Sequence, residues 1–197
     1  MNVIFVEPAF PDNQREFVRA LKKVGAHIIG IGERPLDWLE GDLRSWLDEY
    51  EQVSSVTDET VLRRAVAKVQ ERLWVDRIEA TVEAHVLPVA KIREACHIPG
   101  TSVRTAWLCR DKPSMKEALR EAGIPCAQSI GTSDPEEARE FGHQVGYPLI
   151  VKPRDAAGAA ATWRVDDDGQ LEVVMRESGL MHGAAVALEE FIEGHEG

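Results

Sequence analysis

Short apolar runs alternate with amphipathic stretches along the first hundred residues. Four apolar runs predict buried strands: residues 3–7, 27–31, 53–56 and 78–82. Apolar residues recur at helical spacing in four other stretches: residues 13–24, 35–49, 58–73 and 86–96. Strands separated by helices indicate a parallel sheet covered by helices, a doubly wound, Rossmann-like α/β fold. The turn after the first run reads EPAFPDN, which lacks the glycines of a nicotinamide-dinucleotide site.

The pattern of helices and strands changes after residue 110. The predicted helices are 111–123, 133–145 and 171–177, and the predicted strands are 147–153, 163–165 and 185–192. Ser133 and Glu136 have the spacing of a capping box at the start of the second of these helices. The first strand carries Lys152 near its end, and a loop of small residues, 155–162, follows it. The second half therefore predicts an α+β arrangement, distinct from the first.

The charge of the chain limits its partners. It carries a formal net charge of −11 over 197 residues. An acidic protein repels nucleic acid and anionic membranes, so neither is expected as a partner. No apolar run approaches the roughly 20 residues of a membrane-spanning helix, and the start of the chain lacks the basic residues of a signal peptide. These features favour a cytoplasmic location, and an anionic ligand would need a local cluster of cations.

Three segments occur in the order and spacing typical of a known superfamily. They read RDKPSMKEALREAGIPCA (110–127), VGYPLIVKPRDAAGAAATWRV (145–165) and ALEEFIEGHE (187–196). Together they resemble the ATP-grasp superfamily of ligases. The resemblance implies a pre-ATP-grasp Rossmann-like domain at 1–110 and the N-terminal part of the ATP-grasp domain at 111–197. Within the latter it implies a lid subdomain at about 127–187 and an adenine hinge at 188–192.

The resemblance also implies which residues contact ATP. Lys152, near a strand end, and Lys112, at a helix start, would lie beside the phosphates and offset their charge. Gly158 and Thr162 would contact the phosphates from the loop between them. The remaining contacts would be made to the adenine and ribose by Glu189, Phe191, Ile192 and Glu196. Two further cations, Arg154 and Lys116, are near enough in sequence to help, but we expect both to be solvated.

The metal ligands of the superfamily lie well downstream of the adenine hinge, and this chain ends at Gly197. We therefore expect ATP and Mg²⁺ as cofactors, no metal ligand within residues 1–197, and a fragment truncated before the C-terminal half of the fold. The loop 155–162 is richer in alanine than in many relatives. Because alanine adopts fewer backbone conformations than glycine, we expect a stiffer lid or weaker nucleotide binding.

The resemblance implies a ligase that activates a carboxylate as an acyl phosphate for capture by an amine or another nucleophile. The expected partners are ATP and small-molecule carboxylate and amine substrates, while the catalytic residues stay unassigned. Apolar surface near Ile192 favours pairing of two copies as a homodimer. Three alternatives stay open: a biotin carboxylase-like enzyme, a non-catalytic nucleotide-binding or scaffold domain, and an α/β domain that binds a small metabolite without ATP.

Overall fold

A computed structural model describes residues 1–153 and 162–194 of the chain. The chain divides into two units, Met1–Arg110 and Asp111–Gly197. Each unit has its own sheet: a parallel one in the first and an antiparallel one in the second. Within the described ranges, no helix combines the length and apolarity needed to cross a membrane.

The first unit is built on four parallel strands. They are β1 (Asn2–Val6), β2 (His27–Gly32), β3 (Glu49–Gln52) and β4 (Arg77–Glu79), in the order β3-β2-β1-β4. Its helices are α1 (Gln14–Lys23), α2 (Gly41–Trp46), α3 (Glu59–Gln70), α4 (Glu83–Ala95) and α5 (Val103–Arg110). A short 3₁₀ helix, Leu36–Trp38, precedes α2.

Helices cover both faces of this sheet, because alternate residues of the central strands point to opposite sides. Ile4 and Ile29 pack with Leu62 and Val66 of α3 on one side. On the other side, Phe5 belongs to a cluster that also contains Val3, Ile28, Val18 of α1 and Leu43 of α2. This two-sided burial explains why β1 and β2 are continuous apolar runs rather than alternating ones.

Three predictions for this unit were inexact. The third strand is Glu49–Gln52 rather than 53–56, because an edge strand pairs on one side only and can remain polar. Stretch 35–49 forms two short helices, because extended residues at Leu39 and Glu40 interrupt it. Helix α5 was not predicted.

Buried polar side chains in the first unit join strands to the loops that follow them. Arg93 of α4 donates to the backbone oxygens of Ile78 and Thr101, each at 2.7 Å, and pairs with Glu79 at 2.9 Å. The Glu7 carboxylate accepts from the Glu33 backbone N–H at 3.0 Å. Because buried polar groups are costly without partners, these bonds fix the loops at the edges of the sheet.

The second unit contains four strands and three helices among its described residues. The strands are β5 (Ser129–Thr132), β6 (Leu149–Pro153), β7 (Trp163–Val165) and β8 (Val186–Glu190), in the order β5-β8-β6-β7, and all described pairs are antiparallel. The helices are α6 (Lys112–Glu121), α7 (Pro135–Val145) and α8 (Asp168–Glu177). The cap of α7 is Asp134 rather than Ser133, since its carboxylate accepts from the Glu136 N–H at 2.8 Å.

The two faces of this sheet differ in character. Leu149, Val151 and Leu188 point to one face and pack with residues of α7 and α8, which makes it the core of the unit. Because side chains alternate along a strand, Ile150, Lys152 and Glu189 point to the opposite face, called here the second face. The mixed α/β architecture expected from the sequence is therefore confirmed, with one parallel and one antiparallel sheet.

Candidate functional site

Strand register brings Lys152 and Glu189 together on the second face. Glu189 of β8 lies directly opposite Ile150 of β6, and Lys152 lies two residues further along β6. Diagonal neighbours on one face of an antiparallel pair are within reach of long side chains. Here Lys152 Nζ lies 2.8 Å from Glu189 Oε1.

Helix α6 adds a second lysine to the same carboxylate oxygen. Lys116 Nζ lies 3.0 Å from Glu189 Oε1, and only 11% of the Lys116 side chain is exposed. Asp111 caps this helix by accepting from the Ser114 N–H at 3.1 Å, which fixes where the helix begins. Met115 and Leu119 are half-buried beside Lys116, so the lysine lies on the covered side of α6.

The three side chains form a compact charged group, called here the lysine–glutamate cluster: Lys116, Lys152 and Glu189. Burial alone would raise the pKa of Glu189, but the adjacent ammonium groups of Lys152 and Lys116 reverse that effect and hold its pKa below the ordinary 4.5. Glu189 is therefore ionised at neutral pH. Two cations and one anion leave the cluster with a net positive charge inside an acidic protein.

The contact between Lys116 and Glu189 is an ion pair rather than an aligned hydrogen bond. In the described part of the chain, the buried Lys116 Nζ has no hydrogen-bond partner of good geometry. An ammonium group carries three donors, so its hydrogen-bonding capacity is largely unused here. Such an arrangement is expected where a charged group serves a function beyond stability.

The segment after β8 crosses to the start of β6. The Phe191 N–H donates to the Pro148 backbone oxygen at 3.2 Å. The guanidinium of Arg164, on β7, lies 4.5 Å from the centre of the Phe191 ring, a cation–π contact. Ile192 follows with 61% of its surface exposed. The chain next to Glu189 is thus anchored at Phe191 and open at Ile192.

The structure groups some of the predicted site residues and separates others. Lys152 and Glu189 are in contact, and Phe191 and Ile192 follow Glu189 directly. Lys112 and Thr162 are both exposed, and no ion pair joins Lys112 to Glu189. Gly158, Glu196 and Arg154 lie outside the described residues.

The expectation that Lys116 is solvated was wrong. The residue is buried and paired because α6 carries it over the polar second face of the sheet rather than toward solvent. Two sequence signals pointed to it: its spacing of four residues from Lys112, and its position between Met115 and Leu119 on an amphipathic helix. Neither signal identifies its partner, because Glu189 is more than seventy positions away.

Among residues 1–153 and 162–194, no three His, Cys, Asp or Glu side chains are grouped closely enough to hold a metal ion. Asp166 pairs with Arg164 at 2.9 Å, and the Asp167 carboxylate caps α8 by accepting from the Gln170 N–H at 2.8 Å. These acidic residues therefore have structural roles in their own turn. The described residues can hold an anion at the lysine–glutamate cluster, but they do not fit a divalent cation.

Comparison with known proteins places these features in context. The family model described as the carbamoyl-phosphate synthase L chain, ATP binding domain, matches residues 111–196. The L-arginine-specific L-amino acid ligase of Bacillus subtilis is 31% identical over 134 residues, which cover 68% of this chain and 32% of that enzyme. The chain thus spans about a third of the length of this curated relative.

Solved structures share the fold of nearly the whole chain. Phosphoribosylglycinamide synthetase from Anaerococcus prevotii matches 98% of this chain and 46% of its own, with a TM-score of 0.74 and 17% identity. The biotin carboxylase domain of the 2-oxoglutarate carboxylase of Hydrogenobacter thermophilus was solved as a dimer with MgADP, ADP and bicarbonate. It matches 97% of this chain and 44% of its own, with a TM-score of 0.64 and 20% identity.

Proposed function

We propose, on the premise that this chain belongs to the ATP-grasp superfamily of ligases, that it is the ATP-binding portion of an enzyme that activates a carboxylate as an acyl phosphate. An amine or another nucleophile would then capture the acyl group and release phosphate. The observation that carries the proposal is the lysine–glutamate cluster on the second face of the β5–β8 sheet, where an acidic protein concentrates positive charge.

Lys152 is the residue we assign to the phosphates of ATP. Its ammonium group is held near the end of β6 by Glu189, and its side chain is 29% exposed, so an incoming anion can reach it. A cation fixed before the ligand arrives costs little reorganisation on binding. When bound, ATP supplies the phosphoryl group that converts the carboxylate into an acyl phosphate. The task of the chain's own residues is to bind and orient that nucleotide.

The remaining contacts are assigned by family resemblance. Lys112 would approach the phosphates from the start of α6, and Gly158 and Thr162 would do so from the loop after β6. Glu189, Phe191 and Ile192 would line the adenine, and Glu196 would bind the ribose. We infer that Met1–Arg110 is the pre-ATP-grasp domain and that residues 127–187 form a lid. Mg²⁺ would accompany ATP, but the described residues do not fit it, so no step is assigned to the metal.

The substrate class follows from the nearest chemistry among the relatives. The Bacillus subtilis enzyme is named as an amino acid ligase, and joining amino acids requires one carboxylate and one amine. We therefore propose small-molecule carboxylate and amine substrates of that kind. A biotin carboxylase-like enzyme would instead use bicarbonate, and a non-catalytic nucleotide-binding domain would use neither.

The test combines nucleotide binding with acyl-phosphate trapping. Mg-ATP affinity is measured by calorimetry for the 197-residue protein, and turnover is measured as ADP release by the longer enzyme that contains it. Hydroxylamine converts an acyl phosphate into a hydroxamate, which reports carboxylate activation across a panel of amino acids. Lys152→Met should weaken ATP binding or turnover at least tenfold, about 1.4 kcal/mol. The charge-matched control is Arg176→Met on α8, which is exposed.

Three results would separate the alternatives. ATP binding with hydroxamate formation supports the ligase. ADP release that depends on bicarbonate, without hydroxamate from amino acids, supports the carboxylase. Binding without any ADP release in the longer enzyme supports a non-catalytic domain. Equal affinities for Lys152→Met and the unsubstituted protein would remove Lys152 from the site.

A further inference from the structure

Lys116 is buried next to Lys152 but lacks access to the ligand that Lys152 would bind. We propose that Lys116 is a positioning residue that acts through Glu189: by sharing this carboxylate, it prevents Glu189 from neutralising Lys152, which stays available to nucleotide phosphates. The inference rests on the proposed function, in which Lys152 contacts ATP.

Burial is the reason for placing Lys116 outside direct contact. Its Nζ atom is shielded from solvent, and only 11% of its side chain is exposed, against 29% for Lys152. A phosphate large enough to touch Lys152 therefore cannot reach Lys116 Nζ while the present packing holds. Both ammonium groups nevertheless lie within 3.0 Å of a single oxygen, Glu189 Oε1. The effect of Lys116 must pass through that oxygen.

The charge balance of the cluster shows what Lys116 contributes. With Lys116 present, two ammonium groups share one carboxylate, so a positive charge remains to attract an anion. Without it, Lys152 and Glu189 form a one-to-one pair at 2.8 Å with no net charge. Phosphate binding would then require breaking that pair, and part of the electrostatic attraction would be lost.

No other described cation on this face can replace Lys116. Arg164, the other cation on the second face, lies over the Phe191 ring and pairs with Asp166 at 2.9 Å. Its charge is therefore already offset by a neighbouring carboxylate. The next glutamate, Glu190, accepts from the Gln128 N–H at 3.0 Å rather than joining the cluster. The balance is set by the three members of the cluster alone within the described part of this face.

A double-mutant cycle tests this mechanism. Mg-ATP affinity is measured by calorimetry at low ionic strength for the 197-residue protein and for Lys116→Met, Glu189→Gln and the double variant. We expect Lys116→Met to weaken binding about tenfold, which is 1.4 kcal/mol. The double variant should recover to within about threefold of the unsubstituted protein, because the carboxylate that neutralises Lys152 is gone. Arg176→Met again controls for the loss of one positive charge.

The rescue separates a positioning role from the alternatives. If Lys116 contacts phosphate directly, or only supports the fold, Glu189→Gln will not restore binding and the inference is overturned. Lys116→Arg keeps the shared charge and should bind within about threefold of the unsubstituted protein; a larger loss also contradicts the charge mechanism. If the unsubstituted protein does not bind Mg-ATP, or Lys152→Met has no effect, the proposed function itself fails. Normal dependence on Lys152 without rescue overturns this inference alone.

Discussion

Replacing Glu189 by glutamine should destabilise the second unit more than the same change at the neighbouring Glu190. Glu189→Gln removes the only described counter-ion of the buried Lys116 and leaves two ammonium groups close together. Breaking a fully buried ion pair costs about 3–5 kcal/mol. Because the three side chains are 11–29% exposed, water offsets part of that cost, and we expect a loss of about 2 kcal/mol.

The pH dependence of this loss has a defined sign. The neighbouring lysines lower the pKa of Glu189 below its ordinary 4.5 in the folded protein. A carboxylate with a lowered pKa stabilises the folded state above its unfolded pKa, and this contribution disappears as the pH falls through the folded pKa. The difference in unfolding free energy between the unsubstituted protein and Glu189→Gln should therefore be complete above pH 4.5 and shrink below it.

Urea denaturation between neutral pH and pH 4 measures these free energies, and hydrogen exchange of peptides from β6 and β8 locates them. Glu190→Gln is the matched control, because Glu190 accepts one backbone N–H at 3.0 Å and forms no described ion pair. We expect it to cost less than about 1 kcal/mol. Equal losses for the two variants, or a difference that grows as the pH falls, would refute the electrostatic account of the cluster.

Two further predictions concern the core and the activity of the chain alone. Leu188→Ala should cost about 3 kcal/mol in urea denaturation, because Leu188 is fully buried among β6, α7 and α8, whereas the exposed Val173→Ala should cost less than about 1 kcal/mol. The 197-residue protein should bind Mg-ATP weakly and release no ADP above the rate of Lys152→Met, since its described residues do not fit Mg²⁺. Steady ADP release with candidate acids, well above that control, would contradict the second expectation.

Hydrophobic periodicity predicted the central strands well and the edge strand poorly. β1 and β2 are buried on both faces, so their apolar runs are unmistakable in the sequence. β3 lies at the edge and is formed by Glu49–Gln52, whose polar residues carry no periodic signal. What positions β3 is tertiary: its backbone pairs with β2, and the Asp48 carboxylate accepts from the Ile28 N–H at 2.9 Å.

The candidate site was predictable where one strand carries the information. Lys152 follows a buried apolar run, and its strand-end position is readable from that run. Lys116 was misjudged because its environment depends on Glu189, which is distant in sequence and joins it only through the packing of α6 near β5 and β8. Spacing along a helix indicates which side chains share a side, but it does not indicate what that side covers.

The position of Lys152 relative to Glu189 depends on the pairing of β6 with β8, in which Ile150 lies opposite Glu189. A shift of one residue in this pairing would turn Lys152 into the core and bring Val151 to the second face. The same shift would bury a charge and expose an apolar side chain, so the core that stabilises the unit also rejects every arrangement that would dismantle the cluster. Changes in the length of the connecting segments can therefore accumulate over evolution without moving the charged group, as long as the apolar residues of these two strands continue to hold them in step.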